Sequence, residues 1–265
     1  MKSKVLLPIC LLFAAITRGQ DSAGAILTQD DLKLYPLLWQ QNAAEYRALC
    51  YQAFNIAGMR VDEALQKNPG KTNLAIITDL DETILDNSEI ESEIIKYKTK
   101  LTYNKWMAWL RKSSIPAVPG GVEFLQSAAK KGISIYYISN REIKGLEITI
   151  GILQKLGLPD ADSAHVMLVT DVFSKGPRIQ SVMDHHNVIL LLGDNLNDFI
   201  PVFENKNIGD RFKETDRIKK EWGRKFIVLP NAAYGEWENA LYDYKDSLSE
   251  AQKVKVLKSK LKAVE

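Results

Sequence analysis

Short apolar runs alternate with longer amphipathic stretches along most of this chain. Five runs have the length and the unbroken apolar character of strands covered on both faces, at 74–78, 133–138, 166–169, 188–192 and 226–229. Between them, apolar positions recur at helical spacing at about 121–131, 143–156 and 177–185. This alternation predicts an α/β fold with an open, mostly parallel, Rossmann-like sheet and helices on both faces.

Helices are also predicted around this alternating core, which we place at about 72–230. Helical spacing of apolar residues indicates one or two packed helices within about 30–68. The polar stretch at about 87–114 is too long for an ordinary connection and contains two tryptophans, which favours a small helical cap. The charged sequence at about 236–263 predicts one terminal helix.

The beginning of the chain has the pattern of a secretory signal. Two lysines precede the apolar run 5–16, which is shorter than the roughly 20 residues that a membrane-spanning helix needs. Thr17 and Gly19 are small residues at the separation typical of a cleavage site. We therefore expect a signal peptide over 1–19, a single domain over 20–265, and export to the periplasm, the outer surface or the medium.

Composition and charge exclude several classes of protein. The chain is 46% apolar and 26% charged, which suits a globular domain with a sizeable core. Lys and Arg number 35 against 33 Asp and Glu, so a net charge of +2 provides no overall field for a nucleic acid polymer. Cys10 follows Ile9 rather than a small residue, so membrane anchoring through a lipid is not expected.

Polar residues gather where the predicted strands end. The first strand is followed by Asp79-Leu80-Asp81-Glu82-Thr83, the second by Ser139-Asn140-Arg141, and the fourth by a segment containing Asp194 and Asp198. Lys175 opens the helix before the fourth strand. Ligands of open parallel sheets bind beyond the carboxyl ends of the strands. One pocket is therefore expected to contain Asp79, Asp81, Asp194, Asp198 and Lys175.

Four converging carboxylates indicate a metal site. Without a counterion they would repel one another, so a bound divalent cation is expected on Asp79, Asp81, Asp194 and Asp198. Ligands that are all oxygen favour Mg²⁺ over zinc. A calcium loop is excluded, because its sixth and twelfth positions would be Ile84 and Ile90 instead of Gly and Glu.

The same residues suit phosphoryl transfer. A carboxylate fixed directly after a buried strand, Asp79, can attack phosphorus and form an aspartyl-phosphate. Asp81 can then serve as general acid and base, a role that favours a partly raised carboxyl pKa. Ser139 and Lys175 are expected to hold the phosphoryl oxygens.

Longer motifs resemble a known family. They are the segments 79–88, 119–124, 138–141, 193–199 and 229–237. In this order they resemble the class C acid phosphatases of the haloacid dehalogenase (HAD) superfamily, exported bacterial enzymes that include 5′-nucleotidases. The resemblance implies that Asp79 is the nucleophile and that Asp81 is the acid–base group and a metal ligand through its carbonyl. It also implies that Asp194 is a metal ligand supported by Asp198.

The leaving group is less well defined by the sequence. Tyr234, with Trp106 and Trp109 of the cap, could stack on a base or nicotinamide ring, although they could instead pack the cap and the terminal helix. Asn140, Arg141 and Arg178 are further candidate substrate contacts. A small phosphomonoester is the expected partner, for a nucleotidase or a broad acid phosphatase, and a homodimer is a further possibility.

A binding or adhesion module that has lost catalysis is the alternative function. The intact pair Asp79 and Asp81 favours the enzyme, because superfamily members without phosphatase chemistry usually change one of the two.

Overall fold

The structure is a computed structural model that describes residues 28–70, 72–112, 115–245 and 247–264. The expected signal peptide over 1–19, including Cys10, lies outside these described residues. Within the described ranges, none of the helices combines the length and the hydropathy that crossing a membrane requires.

Five strands form one parallel sheet within the described ranges. They are β1 (Leu74–Thr78), β2 (Ser134–Glu142), β3 (Val166–Val169), β4 (Asn187–Gly193) and β5 (Phe226–Val228). Every neighbouring pair is parallel, and the order across the sheet is β3-β2-β1-β4-β5. The predicted open parallel α/β fold is confirmed.

The helices before and within the first half of the sheet are numbered in chain order. They are α1 (Gln29–Leu32), α2 (Leu34–Asn42), α3 (Ala44–Lys67), α4 (Ser88–Tyr97), α5 (Tyr103–Leu110), α6 (Gly121–Lys130) and α7 (Leu146–Lys155). The predicted helical region at 30–68 is thus divided into three helices. Helices α4 and α5 fall in the stretch predicted as a cap.

The remaining helices follow β3. They are α8 (Gly176–Met183), α9 (Ile208–Arg217), α10 (Glu236–Leu241) and α11 (Glu250–Lys260). Short 3₁₀ turns lie at Ile143–Gly145, Leu196–Asp198 and Pro201–Phe203. The first of these occupies the start of the helix predicted at 143–156.

Helices cover both faces of the sheet because the strands are apolar on both faces. All five residues of β1 are buried. Leu74 and Ile76 pack in a cluster with Phe54 of α3 and Leu125 of α6. Ala75 and Ile77 belong to the cluster on the opposite face, which includes residues of α8. This burial fixes the backbone of β1 and, with it, the position of the residues that follow.

The structure differs from the sequence analysis at two helical segments. The terminal helix predicted over 236–263 is interrupted between α10 and α11, where Asp243 and Tyr244 take left-handed φ angles of 50° and 58°. Helix α9 was not predicted, because Arg211 is its only buried residue and no apolar repeat marks it. Its remaining sequence signal is the Asn207 cap, whose side chain accepts from the backbone N–H of Asp210 at 2.9 Å.

The strand order places the site between β1 and β4. The chain adds β2 and β3 on one side of β1, and β4 and β5 on the other side. In sheets of this kind the crevice lies at the carboxyl ends of the strands where the order reverses. Asp79 follows β1 there and Asp194 follows β4.

Candidate active site

Asp79 is held at the end of β1 by the sheet itself. Its backbone N–H donates to the carbonyl of Leu192 in β4 at 2.9 Å, and the residue is 8% exposed. Lys175, at the N-cap of α8, contacts Asp79 Oδ1 with its ammonium, which also lies 2.7 Å from Asp198 Oδ1. The buried lysine therefore joins the carboxylates after β1 and β4.

Asp79, Asp194 and Asp198 form a compact cluster of carboxylates. Each offers one oxygen, and these three atoms all lie within 4.8 Å of one another. Asp194 accepts from Thr83 Oγ1 at 3.1 Å and from Asn231 Nδ2 at 2.8 Å, and both of these donors are neutral. The Asp194 carboxylate thus has hydrogen bonds but no close cationic side chain within the described ranges.

The charges of this cluster are unbalanced. Burial, and then the charge of Asp198, raises the pKa of Asp194 to about 7. Burial also raises the pKa of Asp79 well above its ordinary value, and this outweighs the opposing effect of Lys175. These pKa shifts show that burial and neighbouring carboxylates destabilise the ionised forms of Asp79 and Asp194.

A divalent cation fits this site. Among the described residues, the three carboxylates of the cluster, when ionised, face one cation, Lys175, so two negative charges are left over. One doubly charged ion would balance them. The ligand set of three carboxylates contains only oxygen, which suits a hard cation. The residues present can therefore hold a divalent metal ion.

Asp81 has a different environment. Arg141 Nη2 donates to Asp81 Oδ1 at 2.6 Å and its Nε donates to Oδ2 at 3.0 Å, while Asn87 Nδ2 donates to Oδ1 at 2.7 Å. Burial raises the pKa of Asp81, but Arg141 and then Asn87 outweigh it and leave the pKa below its ordinary value. The expectation of a partly raised pKa did not include this ion pair, and the structure differs from it for that reason.

A cavity of about 630 Å³ brings most of the expected site residues together. Of the residues predicted from the sequence, it is lined by Asp79, Asp81, Ser139, Asn140, Arg141, Lys175, Asp194, Asp198, Trp106 and Tyr234. Ser139, Asn140 and Arg141 lie within the last residues of β2, which extends further than the predicted strand. Trp106, Met107 and Leu110 of α5 line the cavity as well, so the inserted helices contribute one of its walls.

Two predicted substrate contacts lie elsewhere. Trp109 is 3% exposed, and its indole N–H donates to Asn87 Oδ1 at 2.9 Å, so it packs the inserted helices. Arg178 donates to the carbonyl of Ser139 and to Asn140 Oδ1, both at 2.7 Å, and to the carbonyl of Phe173 at 3.1 Å. Because its guanidinium is occupied in this way, Arg178 braces the end of β2 instead of facing the cavity.

Three residues around the site were not identified from the sequence. Glu82 and Asn87 are each 1% exposed, and they belong to the segment 79–88 that carries the family resemblance. Burial, and then the charges of Asp81 and Asp194, raises the pKa of Glu82 well above its ordinary value. Lys33 lines the cavity from the junction of α1 and α2, and no local pattern marks it.

Comparison with known proteins identifies the family. The model of the HAD superfamily, subfamily IIIB (acid phosphatase), matches residues 25–237. The chain belongs to this family. The resemblance noted from the sequence motifs is thereby confirmed, and the chain is a phosphomonoesterase.

Solved structures agree with this assignment. The class C acid phosphatase from Bacillus anthracis is 39% identical, with a TM-score of 0.85, over 90% of this chain and 100% of the other. A crystal structure of the class C acid phosphatase from Bacillus anthracis with tungstate bound gives the same identity and TM-score over 89% of this chain and 99% of the other.

Substitution of Gly193, the last residue of β4, would test how closely the acidic cluster is packed. A Cβ at this position would lie 2.5 Å from both Cβ and Oδ2 of Asp198. We expect Gly193→Ala to displace Asp198 from Lys175 and to lower kcat/KM by about 100-fold, since misplacement of site groups by about 1 Å has effects of that order.

Gly151→Ala is the matched control, because a Cβ at Gly151 in α7 would meet nothing within 4 Å. Phosphate release by the two purified variants is the measurement. Wild-type kcat/KM in Gly193→Ala would contradict the proposed packing constraint.

Proposed function

We propose that this acid phosphatase is an exported, Mg²⁺-dependent enzyme that hydrolyses nucleoside monophosphates or similar small esters through an aspartyl-phosphate. The observation that carries the proposal is the buried Asp79 carboxylate, fixed after β1 and held against Lys175 beside the acidic cluster. The export signal rests on the sequence at 1–19 alone.

In the first step, an Asp79 oxygen attacks phosphorus and the bond from phosphorus to the leaving oxygen breaks. Asp81 gives its proton to that oxygen, so the leaving group departs as an alcohol. Asp81 is paired with Arg141, which lowers its pKa. The added negative charge of the ester next to Asp81 raises that pKa and favours the protonated form needed here.

In the second step, water attacks the phosphorus of the aspartyl-phosphate. Asp81, now ionised, accepts a proton from that water, and the bond between Asp79 and phosphorus breaks to release inorganic phosphate. The ion pair with Arg141 favours the ionised form that this step requires. The two steps return Asp79 and Asp81 to their starting states.

Asp79, Asp194 and Asp198 would hold the cation, and the resemblance adds the backbone carbonyl of Asp81. When bound, Mg²⁺ supplies positive charge that offsets the carboxylates and the phosphoryl oxygens. Lys175 contacts both Asp79 and Asp198, and Ser139, which lines the cavity, would donate its hydroxyl to a phosphoryl oxygen. The Bacillus anthracis relative has been crystallised with tungstate bound, and tungstate is a tetrahedral oxyanion like phosphate, which supports phosphate as the group recognised.

The leaving group is proposed to lie against aromatic side chains. Trp106 comes from the inserted helix α5 and Tyr234 from the segment after β5, and both line the cavity. Aromatic faces stack on nucleobases and contribute roughly 1–3 kcal/mol per base. These two residues favour a ring-bearing ester over a small polyol phosphate.

Asp79→Asn tests the nucleophile. The amide keeps the shape of the side chain but removes the nucleophile and an anionic ligand, so turnover is expected to be lost while the fold persists. Retention of more than roughly a thousandth of the wild-type rate, a loss of about 4 kcal/mol or less, would falsify covalent catalysis by Asp79. Asp62→Asn, on the exposed surface of α3, is the matched control.

Asp194→Asn tests the metal site. Loss of one carboxylate weakens Mg²⁺ binding, so activity is expected to fall and to be partly restored by excess Mg²⁺. Titration calorimetry with Mg²⁺ measures the affinity directly. Complete insensitivity of the variant to added Mg²⁺, or wild-type activity that survives chelation, would contradict the proposed ligand role.

Tyr234→Ala tests the leaving-group side. Loss of stacking worth roughly 1–3 kcal/mol raises KM for nucleoside monophosphates by about 5- to 150-fold, and by less for glycerol phosphate, which has no ring. The effect should appear mainly in KM, because stacking far from phosphorus acts similarly on the ground and transition states. Equal losses for both esters would assign Tyr234 to the fold instead.

A further inference from the structure

Glu82 is a buried carboxylate with no role in the steps described above. Each oxygen of the Glu82 side chain has its own donor. Oε1 accepts from the backbone N–H of Asn87 at 2.9 Å, and Oε2 accepts from the hydroxyl of Tyr234. Of the two residues Glu82 and Tyr234, Tyr234 lines the catalytic cavity and Glu82 does not.

The conformation of Glu82 is unusual for a residue of its kind. Its φ of 57° lies in the left-handed region, which residues other than glycine and asparagine rarely adopt. Its side chain is buried beside other carboxylates, where an ionisable group is costly. Backbone strain and a buried carboxyl at the same residue require compensating contacts, and the Asn87 and Tyr234 hydrogen bonds are those contacts.

Tyr234, the hydrogen-bond partner of Glu82, lies in the segment between β5 and α10. Its carbonyl accepts from the indole N–H of Trp237 at 3.2 Å, and the Lys33 ammonium lies 5.8 Å from the centre of its ring. These contacts act on its backbone and on its ring. The bond to Glu82 acts at the hydroxyl, the end of the side chain, and so limits displacement of the whole ring by rotation about the Cα–Cβ bond.

We infer that Glu82 is a positioning residue that acts through the Tyr234 hydroxyl and sets the wall against which the leaving group packs. Asn87 holds one oxygen of the Glu82 carboxylate, so the other oxygen has a fixed direction. The loop that carries Asp79 and Asp81 thus also orients the residue proposed to contact the leaving group. This inference rests on the proposed function for its substrate class.

Two single variants break the contact from opposite sides. Glu82→Ala removes the acceptor, and Tyr234→Phe removes the donor but keeps the ring. An intramolecular hydrogen bond typically changes an equilibrium constant by about 2- to 10-fold, so each variant is expected to raise KM for a nucleoside monophosphate by about that factor. KM for glycerol phosphate should rise less, and kcat should change less than KM for either ester.

Two further variants separate positioning from general support of the fold. Glu82→Gln should recover most of the loss, because its amide can accept from the Asn87 N–H and donate to the Tyr234 oxygen. The double variant Glu82→Ala/Tyr234→Phe should be no worse than either single variant, since both remove the same contact. Tyr242→Phe is the control, because the buried Tyr242 hydroxyl has no hydrogen-bond partner among the described residues.

Several outcomes would overturn the inference. Equal losses for the two esters, or effects that multiply in the double variant, would assign Glu82 to support of the loop. If Glu82→Ala does not fold, Tyr234→Phe decides: an unchanged ratio of KM for the two esters would refute the role of the hydroxyl. If Tyr234→Phe shifts that ratio, failure of Glu82→Gln to retain the wild-type ratio would refute the role of Glu82.

A wild-type enzyme that does not distinguish the two esters would refute the proposed substrate class separately. In that case the same double-variant cycle is measured by urea unfolding of the purified proteins. Non-additive losses of stability would support the link from Glu82 to Tyr234, and additive losses would overturn it.

Discussion

The balance of charge among the buried carboxylates after β1 and β4 is the constraint on which the rest of this site depends. Asp79, Asp194 and Asp198 present oxygens within 4.8 Å of one another, which only nearby positive charge can stabilise. Lys175 supplies part of that charge from the start of α8. Burial is the main cause of the raised pKa values of Asp79 and Asp194, and neighbouring carboxylates raise them further, so the site is suitable for a divalent cation.

Asp79 and Asp81 are only two residues apart, yet their environments separate their chemistry. Asp79 faces the acidic cluster, and its pKa is raised, whereas Asp81 is paired with Arg141 and has a lowered pKa. A nucleophile must be ionised and a general acid protonated, so the proposed roles require positive charge that lowers the pKa of Asp79 and the negative charge of an ester that raises the pKa of Asp81. The end of β2 lowers the pKa of Asp81 despite its burial, because it presents Arg141 directly across from the loop after β1.

Local patterns predicted the sheet and most of the catalytic cluster because each depends on residues close in sequence. The carboxylates directly follow the apolar run Leu74–Thr78, so one short segment of sequence predicts both the buried strand and the site residues at its end. Contacts between distant segments were not predictable in this way. Arg178 and Trp109 were both candidate substrate contacts. In the structure, the Arg178 guanidinium donates to backbone carbonyl groups, and the Trp109 indole donates to Asn87 and does not line the cavity. Helix α9 was missed because it buries almost no apolar surface.

The side of the cavity proposed to hold the leaving group is built from segments far apart in the chain. Lys33 precedes the sheet, Trp106 belongs to the insertion after β1, and Tyr234 follows β5. None of these three belongs to the acidic cluster, and exchange of Trp106 or Tyr234 for another uncharged residue leaves the number of charges around Asp79 unchanged. Glu82 nevertheless joins Tyr234 to the loop of Asp79 and Asp81, and the Arg141 guanidinium, which binds Asp81, lies 5.5 Å from the centre of the Trp106 ring. Among the described residues, these two contacts connect the proposed leaving-group wall to the proposed catalytic residues.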